Sequence, residues 1–427
     1  MNILHVSGTD IIGGRFTGYY MQRALDKVDY HLEMAVWRKD SDNPSVHKMC
    51  RGMVRFLNAI TWRISTRLAL EGLIGPASFV LPFQPYFRRA DVVHLHLIHS
   101  SPYFSILALP MLSQRKPIVW TIHDCWPTTG MCIHSFECER WLAGCTGRCP
   151  YPRGKSPLRH YVPALHWRIK QMVYKHVDMT LIAASKWIQD RIQRSPLLSH
   201  LPCQLIPFGI DLETFAPRPK VQCRERLGIP PDGRVIAFRG RLLKEDLYKG
   251  MRWLWEALDL YEPHEPTCLL ILQDGGDFEL LSPKYKVINL GWVDDNDQIV
   301  DALCAADLFL MPSIQEAFGL MAVESMACGT PVVVFEGTAL TEVIKAPRGG
   351  LAVPAKDSVA LAGAVESLLV DDGLRKKLGR EGRQIAEREY SLSLYVQRHL
   401  QLYEAVVARH SKSRRGAERC LSGNDNS

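Results

Sequence analysis

The chain has no uninterrupted apolar stretch near the ~20 residues that a membrane-crossing helix requires, so it is not read as a helical membrane protein. Its opening, Met1-Asn-Ile-Leu-His-Val-Ser-Gly8, reads as a strand entering a turn, without the basic start and apolar stretch of a secretion signal. A cytoplasmic setting is therefore expected, with the 12 cysteines mostly reduced. The first strand is not followed by a Gly-x-Gly-x-x-Gly turn, which argues against a nicotinamide cofactor. No internal repeat is visible beyond an alternation of strand-like and helix-like segments.

What is present describes a globular protein of two domains. At 427 residues the chain is too long for one ordinary core, and 47% hydrophobic with 23% charged residues suits a folded, water-soluble class. The net charge of +7 is uneven: residues 1–200 hold 25 Lys/Arg against 13 Asp/Glu, net +12, and the remainder 27 against 32, net −5. A basic half is expected to meet an anionic surface. Lipid fits better than nucleic acid, which is not expected as a partner, because basic residues interleave with apolar and aromatic ones in Arg51–Arg67 and Leu158–Lys175. Both segments are read as amphipathic helices lying among headgroups; the alternative is a surface helix with a solvated basic face.

Strand-like runs at Ile3–Val6, Leu32–Val36, Val92–His96, Ile118–Ile122 and Thr180–Ala184 alternate with helical stretches in the first half. Val235–Phe238, Cys268–Leu272, Val287–Asn289, Leu308–Met311 and Pro331–Phe335 do so in the second. That rhythm predicts α/β architecture with two doubly wound parallel sheets, ligands sitting at the strands' carboxyl ends. Ile206-Pro-Phe-Gly-Ile-Asp211 is the hinge candidate, giving domains 1–204 and 205–410, with Cys-rich insertion 125–150. A helical stretch runs from about Leu374 to Arg409, and the polar residues 411–427 are expected to be disordered.

The chemistry gathers at few places. Ser313-Ile-Gln-Glu316-Ala-Phe318-Gly319-Leu320-Met-Ala-Val-Glu324 sets two carboxylates eight positions apart around a glycine at a helix start. If both lie on or beside that helix, ~1.5 Å of rise per residue separates them by about 12 Å. The free N–H groups near Gly319 and Leu320 would then face a diphosphate. Gly13-Gly14, after the first strand, lets the backbone approach a phosphate or sugar. Arg241 and Lys249-Gly250 follow Val235–Phe238 and can bring cationic charge to a departing diphosphate. His123, at the end of Ile118–Ile122, is placed to project from a strand's carboxyl end.

Cys132, Cys138, Cys145 and Cys149 lie within 18 positions at spacings unlike a Cys-x2-Cys pair. In a reducing compartment they favour a structural tetrahedral zinc; disulfides, a labile redox pair, or free packing thiols are the alternatives.

Together these residues resemble the GT-B-fold glycosyltransferases of family 4, the retaining Glu-x7-Glu group, over Met1 to about Arg409. The resemblance rests on Ile206–Asp211 with Phe215, Gly240-Arg241 with Lys249-Gly250, the Glu316–Glu324 block and Gly329-Thr-Pro331. The block from His123-Asp-Cys-Trp126 to Cys149-Pro150 is similar to cysteine-bearing transferases of colanic-acid-type exopolysaccharide assembly. Phe208 stands where that family often has Asn. The resemblance implies two Rossmann-like domains facing across a cleft, with the C-terminal helix returning to the first. It also implies that Glu316 binds the donor-sugar hydroxyls and Glu324 the ribose. Gly14 and Gly319-Leu320, with Gly13 and Phe318 beside them, would meet the diphosphate and sugar. Arg241 and Lys249 would stabilise the leaving group, and His123 would sit near the reaction centre, with no divalent metal needed for catalysis. The expected activity moves a hexose from a UDP- or GDP-sugar to a lipid-linked saccharide, peripherally at the inner face of the plasma membrane. The alternatives are a non-catalytic zinc-knotted binding scaffold and a sugar-nucleotide epimerase or phosphorylase.

Overall fold

The structure, a computed structural model, describes residues 1–11, 18–25, 30–99, 103–151, 156–240, 247–273 and 283–422. It divides into two compact units, Met1–Ile206 with Tyr395 onward, and Pro207–Leu394.

The first unit is built on a seven-stranded parallel sheet in the order β3-β2-β1-β4-β5-β6-β7. Its strands are β1 Asn2–Thr9, β2 His31–Arg38, β3 Val46–Lys48, β4 Val92–Leu95, β5 Ile118–Ile122, β6 Met179–Ala183 and β7 Cys203–Leu205. The central strands are near-continuous apolar runs buried along their length, as a sheet covered on both faces demands. Pairing of β1 with β4 sets His5 beside His94, and pairing of β4 with β5 sets Leu95 beside Trp120. With a period of two along a strand, His5, His94, His96, Thr121 and His123 therefore share one face.

The second unit repeats the plan with six parallel strands in the order β10-β9-β8-β11-β12-β13. These are β8 Arg234–Phe238, β9 Thr267–Ile271, β10 Tyr285–Asn289, β11 Leu308–Met311, β12 Val332–Phe335 and β13 Gly350–Val353. Ile236, Phe238, Leu308, Leu310 and Val333 pack against Leu254 and Leu258 of helix Met251–Leu260 and Leu361, Val365 and Leu368 of helix Ser358–Val370. The strand order reverses between β8 and β11, so the loops leaving those two strands flank the place where such sheets take ligands.

Three expectations about elements change. The stretch read as one C-terminal helix is two, Asp372–Glu389 and Leu392–Ser422, interrupted where Ser391 forms a bridge with Ile210. The second of them runs through the segment read as a disordered tail; from Tyr395 it belongs to the first unit, the return that the resemblance implied, so the second unit ends at Leu394 and not at 410. The two basic segments also differ from each other. Helix Gly52–Leu68 buries only Asn58 and Ser65, leaving Met53, Phe56, Leu57, Ile60 and Ile64 exposed. Helix Pro163–Tyr174 instead buries His166, Trp167, Lys170, Val173 and Tyr174. Lys170 is wholly enclosed, its ammonium donating to the carbonyls of Trp126, Thr129 and Gly130. That helix is part of the core, and its basic-aromatic pattern is packing.

Candidate functional site

In the second unit, the loop after β8 returns through Tyr248-Lys249-Gly250 into helix Met251–Leu260, and the loop after β11 runs from Pro312 to Gly319. The Tyr248 carbonyl accepts the Ile314 amide at 2.9 Å, which ties the two loops together. Across that tie the Lys249 ammonium donates to Glu316 at 3.2 Å. Burial works against the Lys249 charge, but the adjacent Glu316 carboxylate outweighs it and holds the amine above its ordinary value. Lys249 is therefore an ammonium at neutral pH, and both side chains of the pair are only partly exposed.

Helix Leu320–Ala327 begins after Gly319, which adopts a left-handed conformation and leaves the first turn without a side-chain cap. Glu316 thus precedes the helix and Glu324 sits within it, so the simple helical rise does not describe their separation. Their environments also differ: Glu324 is sealed from solvent, whereas Glu316 keeps some exposure. Phe318, between them, is buried, edge-on to Phe208 at 5.2 Å and to Tyr390 at 5.7 Å. The ring expected at the donor sits in an aromatic ladder with Phe208 and Tyr390, which is the packing that Phe208 serves. This ladder holds the Glu316–Gly319 loop from beneath.

Gly13, Gly14 and Arg241 lie outside the described residues. Within them, Arg239, directly after β8, was not singled out from sequence. Its guanidinium stacks 4.4 Å from the Trp292 ring and donates to the Val293 carbonyl at 3.3 Å.

In the first unit, His123 ends a buried chain of rings. Its Nε2 lies 3.1 Å from His96 Nδ1, and His96 Nε2 lies 3.0 Å from His5 Nδ1. His5 Nε2 meets the Tyr403 hydroxyl at 3.1 Å, the same hydroxyl meets His94 Nδ1 at 2.6 Å, and His94 Nε2 meets Thr121 Oγ1 at 2.7 Å. Burial, outweighing the neighbouring Asp124 carboxylate, pulls the His123 pKa down to about 4. Burial likewise keeps His94 and His96 neutral. Beside His123, Asp124 pairs with His99 at 3.1 Å, and His99 stacks on Trp126 at 4.8 Å. Only His123 of this group was expected; the alternation His94-Leu-His96 on one strand was the available signal.

The four clustered cysteines line one pocket with Trp141 and Pro163. All are free thiols, and the Gly130 amide donates to Cys145 Sγ at 3.3 Å. The hydrogen bond from Cys132 draws Cys149 down to about 6. Among the described residues, the potential ligand atoms that lie within 4.8 Å of one another in a group of three are those of His5, His94 and His96, not these thiols.

Comparison with known proteins matches residues 36–214 to the family described as Glycosyltransferase Family 4 and residues 233–371 to Glycosyl transferases group 1. A D-inositol 3-phosphate glycosyltransferase of Streptomyces bingchenggensis is 31% identical over 88% of this chain and 90% of its own. A phosphatidyl-myo-inositol mannosyltransferase of Mycobacterium leprae is 34% identical over 48% of this chain, and the match spans 54% of that relative's length. In fold, sucrose-phosphate synthase from Thermosynechococcus elongatus matches with a TM-score of 0.69 at 20% identity, covering 96% of this chain and 100% of that one. The Anabaena protein HepE, solved with UDP-glucose, matches with a TM-score of 0.64 at 15% identity over 95% of this chain and 100% of that one. By sequence over nearly its whole length, and by its two parallel-sheet units, the chain belongs to the group 1, family 4 glycosyltransferases.

Proposed function

We propose that this protein transfers a hexose, with retention of configuration, from a UDP- or GDP-sugar to a lipid-linked saccharide acceptor in cell-surface polysaccharide assembly. The observation that carries the reading is the Lys249–Glu316 pair, set on the two loops that flank the strand reversal of the second unit. Lys249, with Arg241, neutralises the diphosphate as it leaves. Glu316 receives the hydroxyls of the transferred sugar, and Glu324 the ribose. The uncapped first turn after Gly319, with Gly13-Gly14, meets the diphosphate and sugar. His123 stands beside the sugar, and the charge work is done by side chains without a divalent metal. The UDP-glucose seen with the HepE structure supports a nucleotide sugar as the donor class.

Membrane placement has its own support. Helix Gly52–Leu68 is turned inside out, its enclosed side polar and its outer side apolar between Arg55, Arg63 and Arg67. Met53 is 75% and Phe56 65% exposed. Such a helix suits the boundary of an anionic bilayer, where the apolar side chains enter and the arginines meet headgroups. A structural zinc held by Cys132, Cys138, Cys145 and Cys149 would need their sulfurs to draw together, since no three of them lie within 4.8 Å of one another as placed. One zinc per chain, released only on unfolding, is expected; metal-free protein purified without chelator, with all four thiols titratable in the folded state, would refute it.

The transferase reading is tested with Glu316→Gln. This variant should stay folded and lose about 10²-fold or more of its transfer from a UDP- or GDP-sugar to a lipid-linked acceptor. Full activity would refute the assignment.

A further inference from the structure

The rings around His123 use both of their nitrogens. His94, His96 and His5 each face two partners, and Tyr403 faces two histidines with one hydroxyl proton. A neutral imidazole carries one N–H and one lone pair, so each ring must donate on one side and accept on the other. The tyrosine obeys the same rule, because its hydroxyl has no third partner among the described residues. The whole chain therefore points one way or the other, and no single ring reverses alone. Its far end fixes which way. The Thr121 hydroxyl is buried and meets only His94 Nε2 among the described residues. Were the chain to run toward Thr121, that hydroxyl proton would be buried without an acceptor, a costly arrangement. Running away from it, the proton goes to His94 Nε2 and only oxygen lone pairs stay unused.

We infer that Thr121, His94, Tyr403, His5 and His96 form a one-directional hydrogen-bond relay that holds His123 as the Nδ1–H tautomer, so that His123 acts as a hydrogen-bond donor and not as a base. In that direction Thr121 donates to His94 Nε2, His94 Nδ1–H to the Tyr403 oxygen, and Tyr403 O–H to His5 Nε2. His5 Nδ1–H then donates to His96 Nε2, and His96 Nδ1–H to His123 Nε2. The lone pair of His123 Nε2 is thereby occupied and its proton rests on Nδ1. Burial supports the assignment by keeping His94, His96 and His123 uncharged. The five groups behind His123 are positioning residues, and a neutral Nδ1–H suits a sugar hydroxyl or ring oxygen as its acceptor. The relay itself does not depend on the transferase reading; only the use made of His123 rests on it.

The experiment is ¹⁵N spectroscopy of histidine-labelled full-length protein at neutral pH, with two internal references. His399 must be Nδ1–H, because its Nδ1 lies 2.8 Å from the Tyr395 carbonyl oxygen, and His166 must be Nε2–H, because its Nε2 lies 2.7 Å from the Ala69 carbonyl oxygen. His5, His94, His96 and His123 should all appear as Nδ1–H. Finding any one of them as Nε2–H, or finding that added zinc chloride shifts His5, His94 and His96 as metal-bound rings, would overturn the relay. A pair of variants reads its consequence. His96→Leu should leave His123 a mixture of tautomers and lower kcat about tenfold with donor KM little changed. His96→Gln, whose amide can both accept from His5 and donate to His123, should restore the single tautomer and most of kcat. A His123 signal identical in wild type and His96→Leu would also overturn it. Correct tautomers in a protein without transfer activity would instead count against the transferase reading.

Discussion

At Gly250 the backbone takes φ 68°, and a Cβ built there would stand 1.8 Å from the Pro312 carbonyl oxygen. Gly240 is similarly pressed, by the Met251 sulfur at 2.2 Å. Gly250 brings the β8 and β11 loops close enough for Lys249 to reach Glu316, while Gly240 lets the end of β8 close on helix Met251–Leu260. Gly250→Ala should therefore destabilise the protein by about 1–3 kcal/mol from the left-handed backbone alone, more once the carbonyl is displaced. It should weaken nucleotide-sugar binding in the same measurement series, thermal unfolding with and without UDP-sugar. An unchanged melting temperature would show that the loops tolerate the shift. Lys249→Met tests the pair from the other side. It removes the cation but keeps the packing stem, so turnover should fall about 10²-fold with stability close to wild type. If turnover were unaffected, the diphosphate would have to find its counter-charge elsewhere.

At the scale of elements, ten strands were legible: nine are central in their sheets, and the edge strand Tyr285–Asn289 was caught through its Val287–Asn289 half. The three missed, Val46–Lys48, Cys203–Leu205 and Gly350–Val353, are short edge strands, and Cys203–Leu205 has no buried residue to set a pattern. Helix Pro163–Tyr174 was misjudged for a related reason. Its Lys170 looks solvated in sequence, and only the three carbonyls of the Trp126–Gly130 turn make it a core residue. Of the candidate residues that the structure brings together, Lys249 and Glu316 were readable from local spacing. The histidine relay was not, since its members come from β1, β4, β5 and the C-terminal helix, separated by up to 398 positions. Helix Gly52–Leu68 carries the element-scale prediction. Phe56→Asp with Ile60→Asp should reduce sedimentation with phosphatidylserine-containing vesicles about 10²-fold or more, as each apolar side chain contributes roughly 1.5–3 kcal/mol when buried. Stability should change by under about 0.5 kcal/mol per site, because both side chains are exposed in the folded chain. Equal vesicle binding by the double variant would leave the apolar face without that role.

The whole molecule concentrates its buried imidazoles in one unit. His94 and His96 are held well below their ordinary value by burial, and His123, His166 and His399 are drawn down to about 4 by the same cause. All five belong to the first unit. A histidine with a depressed folded pKa contributes its full stability above the unfolded value near 6.5, and loses it as pH falls from there toward the folded value. In that window the unfolded chain binds protons that the folded chain refuses, at ~1.4 kcal/mol per pH unit for each ring. At pH 5 each ring costs about 2 kcal/mol, so together they rival the 5–15 kcal/mol that holds an ordinary domain folded. Carboxylates held low by their partners, such as Glu33 beside Arg89 and His47, lose their contribution only at more acid pH. The first unit should therefore lose amide protection between pH 6.5 and 4.5, including the residues of Leu392–Ser422 from Tyr395 onward, while β8 to β13 remain protected. Hydrogen exchange followed by mass spectrometry across that range reads both units at once. His96→Gln, which cannot titrate, should shift the loss toward lower pH. Simultaneous loss of both units near pH 4 would mean that carboxylates, not the buried rings, set the acid limit of this fold.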